Sequence, residues 1–283
     1  MNVEQALFLG KNKLKKANIE SYAIDAELLL MHIISFTKVQ LYTKNDFMLT
    51  QAEEKEFFSA LQQREQGKPV QYMIGKCEFM GLDFFVEEGV LIPRADTEIL
   101  VEAVLEYAEK ENLKRGLDIC TGTGCIAVSM AKYGDFSLCG IDISDAAIKT
   151  AKKNACRNHV SITWIKSDLF TQVPQNWKNN LDMIVSNPPY IATKEIENLM
   201  TSVKCFEPHL ALDGGENGTL FYEKIVTEGK NYLKQGGWFF FEIGYDQGQT
   251  VSELLQKNGF DNIEIRKDLA GLDRVVLGKK KCV

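Results

Sequence analysis

Leu181-Asp182-Met183-Ile184-Val185-Ser186-Asn187-Pro188-Pro189-Tyr190-Ile191 is the stretch from which the rest of this 283-residue chain can be read. Its first five residues are mostly apolar and include β-branched side chains, the composition of a short buried strand. Two consecutive prolines cannot donate to a sheet ladder, so the strand must end there. The backbone that follows is stiff and extended, and Pro188 and Pro189 offer carbonyls without N–H groups. An Asn side chain beside a proline carbonyl can accept both hydrogens of one planar NH2 group. A Tyr ring can pack on the flat group that carries the nitrogen. Asn187, Pro188, Pro189 and Tyr190 are therefore candidates for holding an amide or exocyclic amine, with Asn187, Pro188 and Tyr190 the candidate catalytic residues. For an isolated Asn-Pro-Pro, a rigid turn at a strand end is the commoner explanation. The residues upstream decide between the two.

Working outward, strand and helix patterns alternate on both sides. Leu117 to Cys120, Ser137 to Ile143 and Ile162 to Ile165 read as strands before Leu181, and Trp238 to Ile243 as one after it. Helices are expected from near Gly124, from a cap at Asp145 to about Arg157, from Leu220 to Leu233, and from Gln249 to Gln256. Ile263 to Ile265 and Arg274 to Leu277 lie close together with no helix between them and predict an antiparallel pair. The alternation predicts an α/β fold with a Rossmann-like, mostly parallel sheet, whose ligands sit at the carboxyl ends of the strands.

Those strand ends are acidic. Asp118-Ile119-Cys120-Thr121-Gly122-Thr123-Gly124 follows a strand and opens a helix, where glycines let a ligand approach the backbone. It lacks the third glycine of a dinucleotide loop and the Gly-Lys-Ser/Thr of a phosphate loop. Asp142 ends the next strand and can take both hydroxyls of a ribose; Asp168, followed by Leu169, ends the third and can hold an adenine amino group. Each Asp alone is more often a helix cap or a surface residue than a ligand-binding one. Together at successive strand ends, with Asn187 on the fourth, they outline an acidic, phosphate-free nucleoside pocket. S-adenosylmethionine, cationic at its ammonium and sulfonium, fits such a pocket, and methyl transfer is the chemistry it implies.

Before this region the chain is different. Val3, Ala6, Leu7 and Leu14 give one apolar face, and Ser21 is placed to cap a second helix that is apolar on more than one face. Thr50 and Glu53 have the spacing of a capping box. From Lys76 to Ile92 the period changes towards two, a β-hairpin signature. Asp96 or Thr97 is expected to cap the helix through Ile99 and Leu105. The expected domains are thus a helical domain over 1–75, a hairpin linker over 76–92 and the α/β domain over 93–283.

Composition narrows the function. A net charge of −6 and a pI near 5.3 argue against a protein held to nucleic acid through phosphates. No apolar run approaches a membrane span, and the N-terminus lacks the apolar core of a signal peptide. Seven cysteines without a C-x-x-C pair point to a reducing cytoplasm. The three histidines have no ligand spacing, so no metal site is expected.

With these segments in view, the chain resembles the bacterial release factor glutamine methyltransferases. Asn187 to Tyr190 matches their substrate motif and Asp118 to Gly124 their cofactor loop. Gln71-Tyr72, Leu91 to Arg94 with Thr97-Glu98, Glu207-Pro208, Gly214-Gly215, Glu242 to Gly244 with Gln247, and Asp268 to Arg274 match further segments. Cys120 stands where glycine is common, and a cysteine calls for an ordinary backbone angle. The resemblance implies a class I methyltransferase sheet and an N-terminal domain that recognises substrate. It also implies a monomer that uses S-adenosylmethionine, releases S-adenosylhomocysteine, and methylates the GGQ glutamine of class 1 release factors. Asp118, Cys120, Thr121, Gly122, Thr123, Gly124, Asp142, Asp168, Leu169 and Asn187 would hold the cofactor. Asn-Pro-Pro-Tyr is shared with adenine-N6 methyltransferases, and ribosomal-protein glutamine methyltransferases share most of the motifs. A non-catalytic binding module is the reading from another class.

Overall fold

The computed structural model describes residues 1–282 and resolves them into two units: Met1–Lys76 with Met200–Phe206, and Cys77–Leu199 with Glu207 onward. In the first, α1 (Val3–Lys16), α2 (Tyr22–Ile33), α3 (Lys38–Thr43), α4 (Gln51–Glu65) and α5 (Val70–Ile74) enclose one apolar core. The other four all pack on α2, as its distribution of apolar residues requires. The capping box between Thr50 and Glu53 opens α4. Ser21 stands at the cap of α2 but does not cap it. Its hydroxyl donates a hydrogen bond to Asp25 Oδ2 at 2.7 Å, and its backbone, at φ −80° and ψ 15°, lacks the extended angles of a cap.

The second unit begins at Cys77, inside the hairpin of β1 (Lys76–Phe79) and β2 (Leu82–Phe85), which is closed by left-handed Met80 and Gly81 at φ 51° and 67°. Phe79 and Phe84 are buried in the core beneath it. Then come α6 (Glu98–Glu111), β3 (Arg115–Ile119), α7 (Cys125–Tyr133), β4 (Ser137–Asp142), α8 (Asp145–Arg157), β5 (Thr163–Lys166) and β6 (Leu181–Ser186). They are followed by α9 (Thr201–Lys204), which belongs to the helical unit, then α10 (Leu220–Gly229), β7 (Leu233–Glu242), α11 (Gly248–Lys257), β8 (Phe260–Lys267) and β9 (Asp273–Lys280).

Seven strands form one sheet in the order β5-β4-β3-β6-β7-β9-β8. Neighbours from β5 to β7 are parallel, while β9 is antiparallel to both β7 and β8. The mostly parallel sheet and the antiparallel C-terminal pair are those expected. All six residues of β6 are buried. Alternate side chains enter two cores, Ile184, Phe239 and Phe241 on one face and Met183, Val185 and Phe240 on the other. Two helix boundaries differ from expectation. Ser144, not Asp145, caps α8, accepting from the Ala147 N–H at 3.3 Å. The helix expected to reach Leu233 stops at Gly229, which packs too closely on Phe170, Phe239 and Ile184 to carry a side chain; Leu233 already pairs with Leu181 in the sheet.

Candidate active site

β3 and β6 lie side by side although β4 and β5 separate them in sequence. The winding direction of the chain therefore switches between them, and an open α/β sheet binds its ligand in the crevice at such a point. A cavity of about 320 Å³ opens there. Cys120, Thr121, Gly122 and Thr123 line it from the loop after β3, Asp142 from the end of β4, Asp168 and Leu169 from beyond β5, and Asn187 and Pro189 from beyond β6. Asp118, Gly124, Pro188 and Tyr190 are not part of this lining.

Asp118 is buried beneath the loop. The Thr121 hydroxyl and the Ala127 backbone N–H stabilise its carboxylate, yet Oδ1 has no hydrogen-bond partner. Burial pushes its pKa up to about 7, and the neighbouring charge of Asp142 adds to the rise. Asp142 accepts from the Gly122 N–H through Oδ2 and from the Ser144 N–H through Oδ1, both at 2.9 Å. Burial raises its pKa and these amides oppose the rise. Because each oxygen can accept twice, capacity for two hydroxyls remains. Asp168 is exposed at the cavity mouth beside buried Leu169.

Cys120 has φ 59°, which corrects the expectation of an ordinary backbone angle. The Thr121 N–H reaches Ile141 O at 3.0 Å, and the Gly124 N–H reaches Thr121 O at 2.8 Å. Sheet and turn thus fix the peptide on one side of Cys120 and impose the left-handed angle on it. Leu169 is left-handed too, at φ 46°. Each such residue costs on the order of 1–3 kcal/mol, and such strain concentrates at functional sites. The Cys120 thiol is held well above its usual range by burial.

Asn187 donates from Nδ2 to Thr97 Oγ1 at 3.3 Å. Behind it, the Tyr190 phenol donates to Glu242 Oε1 at 3.4 Å, and burial raises the pKa of both groups, that of Glu242 to about 7. Gln247 Nε2 holds the Tyr190 carbonyl at 3.0 Å. Gly214 and Gly218 let their loop pass so close to the Tyr190 backbone that a Cβ on either would collide with it. Arg274 bonds Asp268 at 3.0 Å and Asp96 at 3.3 Å. On another wall, Arg94 holds both oxygens of buried Glu207 at 2.6 Å, pinning the segment from which Pro208, Leu210 and Ala211 line the cavity.

Thr97, Glu242, Gln247, Arg94 and Glu207 were not among the residues singled out from sequence as the site. Their signal was present: each lies in a segment quoted for the family resemblance. Singly, however, they read as a helix cap, a strand end or a surface charge. Ile126, Ile141, Ile143 and Phe221 supply apolar cavity surface. With the carboxylates, the arrangement suits a flat heterocycle carrying a diol and a cationic end.

A family model for the PrmC N-terminal domain matches residues 5–75, and one for the methyltransferase small domain matches residues 94–214. A release factor glutamine methyltransferase of Clostridium acetobutylicum is 43% identical over 281 residues, covering 98% of each chain. Its counterpart in Clostridium botulinum is 41% identical over 283 residues, covering 99% of this chain and 100% of the other. A methyltransferase from Pyrococcus furiosus shares the fold at a TM-score of 0.54 and 17% identity, over 72% of this chain and 91% of its own. With relatives this similar over nearly its whole length, the chain belongs to the release factor glutamine methyltransferase family.

Proposed function

We propose that this enzyme methylates the side-chain amide nitrogen, N5, of the GGQ glutamine in class 1 peptide chain release factors, using S-adenosylmethionine. The observation that carries the reading is the presence of Asn187, an acceptor for amide hydrogens, on the same cavity as Asp142 and Asp168. The residues fit the cofactor. Asp118 has a buried oxygen without a partner, Asp142 has spare acceptor capacity, and a Cβ added at Gly122 would meet nothing within 4 Å. When bound, S-adenosylmethionine supplies an electrophilic methyl group on a sulfonium.

The protein supplies position. Asp142 would take the ribose hydroxyls, Asp168 and Leu169 would hold the adenine edge, Asp118 from beneath the loop would attract the ammonium, and the loop from Cys120 to Gly124 would lie along the cofactor between them. A carboxamide nitrogen is a poor nucleophile because its lone pair is delocalised into the carbonyl. Asn187 and the Pro188 carbonyl would accept hydrogen bonds from its two N–H groups and turn that lone pair towards the methyl group, with Pro189 and Tyr190 keeping the segment rigid; as the N–C bond forms the S–C bond breaks, S-adenosylhomocysteine leaves, and the surplus amide proton passes to solvent. Orientation of this kind supplies much of a bimolecular rate. Acting on a translation factor, the enzyme works in the cytoplasm as a monomer, and its acidity disfavours stable binding of nucleic acid.

The test is incubation with methyl-labelled S-adenosylmethionine and a release factor, its GGQ glutamine-to-alanine variant, or mixed RNA and DNA. Label on the wild-type factor alone is expected; label on nucleic acid would overturn the substrate. Asn187→Ala is expected to lower turnover by roughly 100-fold or more while changing cofactor affinity by less than about threefold. Unchanged turnover would remove Asn187 from the mechanism.

A further inference from the structure

Gln247 stands at the start of α11, where a short polar residue would turn back and cap the helix; its side chain makes no cap bond and enters the interior instead. There all four hydrogen-bonding positions of its amide are taken. Oε1 accepts from the Gly244 N–H at 2.9 Å and from the Tyr222 hydroxyl at 3.3 Å. Nε2 donates to Tyr190 O at 3.0 Å and to Gly218 O at 3.3 Å. Three of these partners are main-chain groups, whose polarity is fixed. Turned over, the amide would set its oxygen against two carbonyls and its NH2 against an N–H, so one orientation alone fits.

Tyr190 O belongs to the same planar peptide as the Ile191 N–H. That N–H reaches Leu212 O at 3.0 Å, so the peptide is gripped at its oxygen by Gln247 and at its nitrogen by the loop around Leu212. The Gly214 N–H returns to Ile191 O at 2.8 Å and extends the grip by one residue. Upstream, Asn187 to Tyr190 has little means of holding itself, because two of its three internal peptides lack an N–H. The motif is thus a short stiff span between the end of β6 and the gripped peptide. Gly218 leaves room for the contact: a Cβ there would lie 2.3 Å from Tyr190 O and 2.8 Å from Gln247 Nε2.

We propose that Gln247 is a positioning residue for methyl transfer: by fixing the peptide between Tyr190 and Ile191, it sets the angle at which the span carrying Asn187 and the Pro188 carbonyl meets the substrate amide. The inference rests on the use of Asn187 and Pro188 given above. Gln247 touches no reacting atom and acts through the main chain of the motif. Its own anchors are firm, since Gly244 follows directly on the end of the central strand β7 and the Tyr222 hydroxyl also bonds Glu242 O at 2.9 Å. The end of β7 is in this way tied to the end of β6, where transfer takes place.

The test uses the full chain with Gln247→Met, which keeps the length and removes donor and acceptor alike, and Gln247→Glu, which keeps an oxygen for Gly244 and Tyr222 and gives up the NH2. Hydrogen exchange of the cofactor-free protein, read by nuclear magnetic resonance, follows the Ile191 amide against that of Gly124, a cofactor-loop amide bonded to Thr121 O. Ile191 is expected to be protected in the parent and to exchange roughly 10- to 100-fold faster in both variants, with Gly124 within about twofold. In release factor methylation, both variants are expected to lower kcat roughly 10- to 100-fold with KM for S-adenosylmethionine within about twofold. An Ile191 amide that is unprotected in the parent, or as protected in the variants as in the parent, overturns the grip. Gly124 exchanging faster in step with Ile191 overturns it too, since Gln247 would then support the fold at large. A faster Ile191 with unchanged kcat overturns the role in transfer. Where Gln247→Met does not fold, Gln247→Glu decides by the same readings. If the parent leaves the release factor unlabelled, the failure belongs to the substrate assignment, and exchange at Ile191 still decides whether Gln247 holds the peptide.

Discussion

Asp118 and Glu242 are carboxyls kept in the interior with an oxygen each left unpartnered, and burial holds both near pKa 7. In the unfolded chain they return to ordinary carboxylate values, so between about pH 4 and 7 the folded state binds more protons than the unfolded one. Stability linked to these groups is therefore complete at low pH and is lost as pH rises through 7. Thermal unfolding of the cofactor-free protein is expected to show a lower Tm at pH 8 than at pH 5.5, a loss on the order of 1–3 kcal/mol, and Asp118→Asn should flatten the slope. A Tm that rises over that interval would show that neither carboxyl is held neutral. A cation bound beside Asp118 favours its charged form, so S-adenosylmethionine affinity should tighten as pH rises through 7, as calorimetry can read. Asp142 and Asp168 were legible in the sequence because a strand end fixes where a side chain emerges. Thr97 was not. It meets Asn187 across 90 positions, and nothing local to a threonine before a helix distinguishes a cap from a partner of Asn187.

At the scale of elements, α8 does more than cover the sheet. Asn154 on its buried face donates to Thr123 O at 2.9 Å and to Phe85 O at 3.0 Å, and accepts from the Phe85 N–H at 2.6 Å. One amide thus ties the hairpin to the loop that lines the cavity. Asn154→Ala strands buried polar groups on both, at about 2–4 kcal/mol, and frees the Thr123 carbonyl to shift. Urea unfolding should show that loss, and calorimetry should show weaker S-adenosylmethionine binding. Lost stability with unchanged affinity would mean that the loop holds itself. The pattern of apolar residues located the strands and helices well, since burial dictates period. It misplaced what competition decides locally: the hydroxyl of Ser21, which donates to Asp25 rather than capping; the end of α10, set by close packing at Gly229; and the angle of Cys120, imposed by hydrogen bonds on its neighbours.

For the molecule as a whole, period and alternation predicted the α/β sheet with its helical N-terminal block, but no local pattern could assign Met200–Phe206, which lie between β6 and α10 in sequence and belong to the helical unit in space. Gly67 makes this possible. At φ 99° it turns the chain after α4, and a Cβ there would stand 2.9 Å from Thr201 Cγ2. Every residue lining the candidate cofactor cavity belongs to the other unit. Gly67→Ala in the full chain should therefore cost the helical unit about 1–3 kcal/mol through backbone strain and overlap with Thr201. It should also speed trypsin cleavage after Lys204 while S-adenosylmethionine affinity stays within about twofold, because no residue of the helical unit lines the cavity. Limited proteolysis and calorimetry on the same preparations decide the matter. If affinity falls in step with cleavage, the two units share a cooperative transition and the helical block supports the cofactor site as well as its own core; if cleavage is unchanged, Thr201 is not what keeps the segment closed.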